Sequence, residues 1–221
     1  MIITKNIFPL LEKLLPADAT IVEAGAYDGR DTKKLSTIFP QAKIHAFEPV
    51  PEIFAELAAQ TASFANINRY QLALSNKTGT TTFYVSEHPK KPGKICQAGT
   101  VMAPKERLTK SPIFYPRTIA VPTITLDTWA EENGISKVDF MWLDLQGHEL
   151  AVLKEATQLL TATSLIYIEV NFIEAYQEQP SAHEIDAWLN NKGFKAIARD
   201  FEDKNQWFFG TILYQRIINS D

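Results

Sequence analysis

The stretch from Thr20 to Thr32, TIVEAGAYDGRDT, leaves this chain few architectures to choose from. Ile21-Val22-Glu23-Ala24 is short, apolar and partly β-branched, as suits a strand buried on both faces of a parallel sheet. It runs straight into Gly25 and Gly29, and Asp31 and Thr32 then open a segment with helical spacing. Strand, glycine turn and helix start, in that order, offer backbone N–H groups and a small-residue surface to a nucleotide-like ligand. A second acidic strand end, Ala46-Phe47-Glu48-Pro49, follows about twenty residues later, where a βαβ unit returns a carboxylate to a ribose.

The rest of the chain repeats the alternation. Helices are expected over Ile3–Leu15 (stopped by Pro16), Pro51–Thr61, from Leu126 to Gly134 with Asp127 and Thr128 as caps, and over Glu149–Leu160. A further helix over Ser181–Lys192 carries the capping pair Ser181 and Glu184 and ends at Gly193. Strands are expected over Lys43–Phe47, Ile67–Leu74, Thr80–Val85, Thr118–Ile124, Val138–Leu143 and Leu165–Val170. The last two, Phe194–Ala198 and Trp207–Tyr214, have no helix between them and so form an antiparallel pair at a sheet edge. The expected fold is α/β: a doubly wound, mostly parallel sheet in three α/β/α layers, with residues 1–221 as one domain. Residues 86–117 interrupt the pattern with five prolines, two glycines and no sustained period, and read as a long excursion.

Composition narrows the function classes. A net charge of -4 argues against nonspecific nucleic-acid binding, and no apolar run is long enough to span a bilayer. Cys96 is the single cysteine and the N-terminus has no secretory pattern, so the expected location is the cytoplasm. The excursion is the exception in charge, holding seven Lys and Arg against Glu87 and Glu106. If it folds over the ligand crevice, a small-molecule acceptor there is acidic or phosphorylated.

The acidic residues fall at strand ends: Glu23 and Asp28 flank the first turn, and Glu48, Asp144 and Glu169 close later strands. Buried carboxylates need donors or positive charge. A dinucleotide wants Gly-x-Gly-x-x-Gly, whereas Glu-Ala-Gly-Ala-Tyr-Asp-Gly has another spacing and an extra carboxylate where diphosphate would sit. S-adenosyl-L-methionine fits better, with ribose hydroxyls for Glu48 and a sulfonium and an ammonium for the carboxylate-rich turn.

The blocks VEAGAYDGRDT, IHAFEPVPEIFAEL, LALSNKTGTTTFYVS, ITLDTWAEENGISKVDFMWLDLQGHELAVLKEA and LIYIEV, spanning Ile21–Val170, resemble the FkbM-type S-adenosyl-L-methionine-dependent methyltransferases. The resemblance implies a class I methyltransferase fold, Rossmann-like, with seven strands and a final antiparallel pair. It also implies methyl transfer to a hydroxyl of a sugar or small metabolite. By position, Glu23, Gly25 and Asp28 would line the methionine part, with Ala26, Tyr27 and Gly29 in the same turn. Glu48, followed by Pro49, would hold the ribose, Ala73, Leu74 and Ser75 would lie near the adenine, and Asp144 would sit beside the reacting centre. Trp142 and Gln146 stand where the family often has a lysine and a glutamate.

Transfer to an alcohol needs a base, and Asp144 and His148 are the candidates. The competing readings are simple exposure on its helix for His148, a helix cap for Asp144, and a structural acid satisfied by backbone amides for Glu169. A metal-assisted variant would use Asp144, Glu169 and Asn171, but no metal site is assigned. Tyr27, Trp142, Phe172 and Tyr176 are either acceptor-pocket walls or core. Two competing classes are a non-catalytic nucleotide-binding or scaffold protein and a NAD-dependent oxidoreductase.

Overall fold

A computed structural model of the chain describes residues 1–110, 113–202 and 208–217. It opens with strand β1 (Ile2–Ile3) and helix α1 (Phe8–Leu14), then β2 (Thr20–Ala24), α2 (Arg30–Ile38), β3 (Lys43–Phe47), α3 (Pro51–Gln60) and β4 (Ile67–Tyr70). The next stretch holds β5 (Ala73–Leu74), β6 (Gly79–His88), β7 (Lys91–Ile95), α4 (Arg107–Lys110) and β8 (Phe114–Ile124). The chain continues with α5 (Leu126–Glu132), β9 (Val138–Leu143), α6 (Glu149–Glu155), β10 (Thr163–Asn171), α7 (Ala182–Asn191), β11 (Phe194–Arg199) and β12 (Phe209–Arg216).

The main sheet runs β1-β11-β12-β10-β9-β2-β3-β4, eight strands rather than seven, because the two-residue β1 pairs with Ala198 and Arg199 outside β11. β12 lies antiparallel between β10 and β11, so the C-terminal pair is only partly at the edge. Trp207, expected to begin that last strand, lies outside the described residues. Strand order reverses at β2, which has β3 on one side and β9 on the other. Such a switch point opens a crevice beyond the carboxyl ends of the strands. Neighbouring residues serve opposite faces: Val22, Met141 and Ile166 enter one core, while Ile21, Phe140 and Leu165 enter the other. Among the described residues no helix is long and apolar enough to cross a membrane.

Several expected boundaries move for local reasons. α1 begins at Phe8, whose N–H is taken by the Asn6 side chain at 3.3 Å, while Ile2 and Ile3 are drawn into strand pairing. The expected strand Ile67–Leu74 divides after Tyr70, the last residue paired with β3. Beyond it Ala73 and Leu74 pair with Thr123 and Ile124 in a second sheet. α5 is capped by Thr125, which accepts from Thr128 N–H at 3.1 Å. Asp127 instead accepts from the N–H groups of Gln158 and Leu159, both at 2.9 Å. That capture ends α6 at Glu155 and turns Leu159–Ala162 into a separate 3-10 turn, where one helix was expected to run to Leu160. α7 has the expected capping box of Ser181 and Glu184.

The excursion is more ordered than its sequence suggests. β5, β8, β6 and β7 form a second sheet in that order, and β6 and β8 extend well into residues 86–117. Pro92 lies on the outermost strand, and Pro116 lies opposite the register shift between Val85 and Glu87, places that tolerate a missing ladder N–H. Ser111 and Pro112 lie outside the described residues. Phe83, Val85 and Val121 of this sheet pack on Val50 and Ile53 at the start of α3, which sets the sheet beside the crevice.

Candidate active site

The crevice is shaped by where backbone can approach backbone. Gly25 has φ +86°, and a Cβ on it would stand 2.1 Å from the Asp144 carbonyl oxygen. Asp144 N–H in turn donates to the Ala24 carbonyl at 3.0 Å. Glycine is therefore demanded by the closeness of the β2 and β9 ends rather than by a ligand. The N–H groups of Gly25 and Ala26 both donate to Phe47 O, fastening the turn to the end of β3. Gly29, with φ +83°, faces Leu57 of α3 at 2.7 Å from where its Cβ would be, and so serves helix packing rather than the crevice wall. Tyr27 and Gln146 carry left-handed backbone angles of φ 48° and 52°, a strain that gathers at binding sites.

A cavity of about 300 Å³ lies at these strand ends. Glu23, Gly25, Ala26, Tyr27, Asp28, Glu48, Pro49, Ala73, Leu74, Asp144 and His148 all line it. Ser75 stands behind the wall, its Oγ 3.2 Å from His148 Nε2. The sequence reading missed Asp31, Ile53, Leu72, Phe83 and Val85, which give the cavity one further acid and an apolar side. The last two come from the second sheet, whose pairing no local spacing announces.

The carboxylates of this cavity differ in how far they are supplied with donors. Burial pushes Glu23 up to about 8, and its Oε2 has no hydrogen-bond partner. Burial pushes Glu48 up to about 7, against the opposing bond from Val50 N–H at 2.8 Å. Asp28 is paired with Arg30 at 2.7 Å. His148 is half-buried rather than exposed, and burial lowers it to about 4, which leaves the ring neutral near pH 7. His45 is buried edge-on to Trp129 at 4.9 Å and belongs to the packing.

A second cavity, of about 400 Å³, adjoins the first, and Tyr27, Arg30, Ile95, Cys96, Gln97 and Asp144 line both. Its own walls include His88, Lys91, Lys94, Arg107, Gln146 and Glu169. Here Gln146 Nε2 donates to Asp144 at 2.6 Å and to Glu169 at 3.1 Å. Tyr176 O–H donates to Gln146 Oε1 at 2.6 Å, which fixes the orientation of the amide. Asp144 is therefore no helix cap, and Glu169 is met by a side-chain amide instead of backbone N–H groups. Burial raises both acids, and each raises the other or is raised by a neighbouring acid. Glu149, unremarked in the sequence, closes the loop from below by accepting from the N–H groups of Leu145 and Gly147. Among the described residues no three His, Cys, Asp or Glu side chains gather to hold a metal ion.

Of the aromatic candidates, Tyr27 lines both cavities with its O–H bonded to Ile95 O at 2.8 Å, and Trp142 lines the first. Tyr176 is fully buried and acts through Gln146, and Phe172 packs on Phe201.

The features of the first cavity suit S-adenosyl-L-methionine. Glu23 Oε2 has no hydrogen-bond partner, Glu48 faces the backbone N–H groups of Val50 and Tyr27 with acceptor capacity to spare, and Ile53, Leu72, Leu74 and Phe83 offer an apolar face.

Comparison with known proteins agrees with this geometry. The profile described as Methyltransferase FkbM domain matches residues 23–196. The 2-O-methyltransferase NoeI of Sinorhizobium fredii is 29% identical over 176 residues, covering 79% of this chain and 71% of that protein. The hexuronic acid methyltransferase AglP of Haloferax volcanii is 24% identical over 168 residues, covering 76% of this chain and 62% of that protein. Among solved structures, the magnesium protoporphyrin IX methyltransferase (ChlM) of Synechocystis PCC 6803 superposes with a TM-score of 0.53 at 13% identity, over 95% of this chain and 75% of that one. That likeness establishes the fold.

Proposed function

The chain belongs to the FkbM methyltransferase family and depends on S-adenosyl-L-methionine; from that premise we propose that it methylates a hydroxyl oxygen of an acidic sugar or similar small molecule. The observation that carries the reading is the meeting of two cavities at Asp144, one acid-lined with an apolar side and one rimmed by Lys91 and Lys94. In the first, Glu23, Glu48 and Asp28 would hold the cofactor, with Ala73 and Leu74 available to its base. The cofactor supplies an electrophilic methyl group on a positively charged sulfur.

The protein's work is alignment and proton removal. Asp144, the carboxylate common to both cavities, takes the hydroxyl proton. Gln146 holds Asp144 and Glu169 together, its amide favouring their ionised forms against the burial that raises both. A neutral amide at position 146 avoids adding a third buried negative charge beside them. His148 lines only the cofactor side, remains neutral and bonds to Ser75, a positioning role. A small acceptor, rather than a nucleic acid, agrees with the net charge of -4.

Transfer of labelled methyl from S-adenosyl-L-methionine to a panel of neutral and acidic saccharides tests the reading. Label is expected in an O-methyl sugar, and Asp144→Asn is expected to lower kcat about 100-fold while S-adenosylhomocysteine affinity changes far less. Absence of transfer with intact cofactor binding would favour a scaffold on the same fold. An unimpaired Asp144→Asn would remove this residue as the base.

A further inference from the structure

Arg107 lines the second cavity, where its charge favours the ionised forms of Asp144 and Glu169 and its side chain meets that of Tyr115. It begins the short helix α4, and its backbone is clamped to the loop after β10: the N–H groups of Lys105 and Arg107 both donate to Ala175 O, at 2.8 and 3.1 Å. The guanidinium lies 4.8 Å from the ring centroid of Phe208 and 5.7 Å from that of Phe209. Its Nε is buried and has no hydrogen-bond partner. Among the described residues no carboxylate stands at ion-pair distance from it, although Asp144 and Glu169 line the same cavity.

Each of these facts narrows the ligand. Stacking on an aromatic face fixes the plane of a guanidinium and turns its N–H edge outward. The two terminal amino groups of a guanidinium present paired donors, the geometry that matches the two oxygens of a carboxylate. A buried donor left unpaired is costly, so a ligand that supplies the acceptor gains that energy as affinity. The same cavity holds Asp144 and Glu169, which repel a dianion more than a monoanion. Lys91 and Lys94 add positive charge at its rim.

We propose that Arg107 receives a carboxylate carried by the methyl acceptor, so that the hydroxyls of a uronic-acid type of sugar face Asp144 and Glu169 while its carboxylate faces the guanidinium. The inference rests on the methyltransferase reading of this site and adds the acceptor's charged group and the residue that selects it. Arg107 is thereby a specificity residue contributed by the basic excursion, where neither spacing nor periodicity marked it.

The test is calorimetry on the full chain saturated with S-adenosylhomocysteine, titrated with D-glucuronate, D-glucose and D-glucose 6-phosphate. Glucuronate is expected to bind about 10- to 100-fold more tightly than glucose, the range of a charge-assisted hydrogen-bonded pair. Arg107→Gln is expected to reduce that preference to about threefold or less. Arg107→Lys, which keeps the charge without the fork, should restore only part of it. Unchanged S-adenosylhomocysteine affinity in either variant shows that it is folded, and if Arg107→Gln lacks that affinity the lysine variant decides. No preference for glucuronate, a preference that survives both substitutions, or a stronger preference for the phosphate overturns the proposal. Failure of S-adenosylhomocysteine to bind the wild type would instead overturn the methyltransferase reading on which it rests.

Discussion

Gly25→Ala should damage this protein far more than the loss of one glycine normally does. The new Cβ would stand 2.1 Å from Asp144 O, so the ends of β2 and β9 must separate by more than an ångström to reach ordinary contact. The separation strains the Asp144 N–H bond to Ala24 O and the neighbouring bond from Gly25 N–H to Phe47 O, each worth about 1 kcal/mol. The left-handed backbone adds about 1–2 kcal/mol for any residue with a Cβ. Together these give about 3–4 kcal/mol, a large share of the stability of an ordinary domain. Gly93→Ala is the control: its φ is +80°, but nothing lies within 4 Å of its Cβ position, so it should lose only the backbone part. Urea unfolding measures both. Gly25→Ala should also weaken S-adenosylhomocysteine binding at least about tenfold, because the turn from Gly25 to Asp28, which lines the first cavity, is displaced with the strand end. If Gly25→Ala proves no more destabilising than Gly93→Ala, the close approach of β2 and β9 is not what requires glycine there.

Two further outcomes follow from the buried acids. Glu48→Gln should weaken S-adenosylhomocysteine binding about 10- to 100-fold by calorimetry without loss of thermal stability, since hydrogen bonds to a charged group are worth about 1.5–3 kcal/mol; a change under twofold would remove Glu48 from the ribose site. Glu23 and Glu149 ionise in the folded protein only near 8, whereas in the unfolded chain they do so near 4.5. The folded state therefore binds more protons, and ligand-free stability should fall as pH rises from about 6.5 to 8, by up to about 1.4 kcal/mol per unit for each group. His45 and His148, lowered to about 4, act in the opposite sense between there and the ordinary histidine value of 6.5, an effect that fades as pH rises above it. Urea melts at pH 6.5 and 8 should show the fall, and Glu23→Gln should lessen it; a rise across that window would contradict the burial argument.

What the sequence disclosed, and what it hid, divides along the range of the interactions involved. The strand at Ile21, the turn at Gly25 and the return at Glu48 rest on alternation and glycine spacing, which are local and readable. The end of α6 is set by Asp127, which takes N–H groups more than thirty residues away, so helical periodicity through Leu160 was misleading. The strand expected to end at Leu74 divides because its last residues find partners in β8, a pairing no local pattern encodes. Gly25 was legible as a necessary glycine, but its cause, the carbonyl of Asp144, lies on another strand. Likewise Gln146 stood out only as a departure from a family pattern, and its bridging of Asp144 and Glu169 needs the fold to be seen.

A crystal structure of the complex with S-adenosylhomocysteine is the most direct measurement. The ribose hydroxyls are expected on the Glu48 carboxylate, the amino group within hydrogen-bonding reach of Glu23, and the sulfur facing Asp144 where the two cavities join. Density for the nucleoside outside the cavity between β2, β3 and β9, or a Glu48 carboxylate turned away from the ribose, would contradict the assignment.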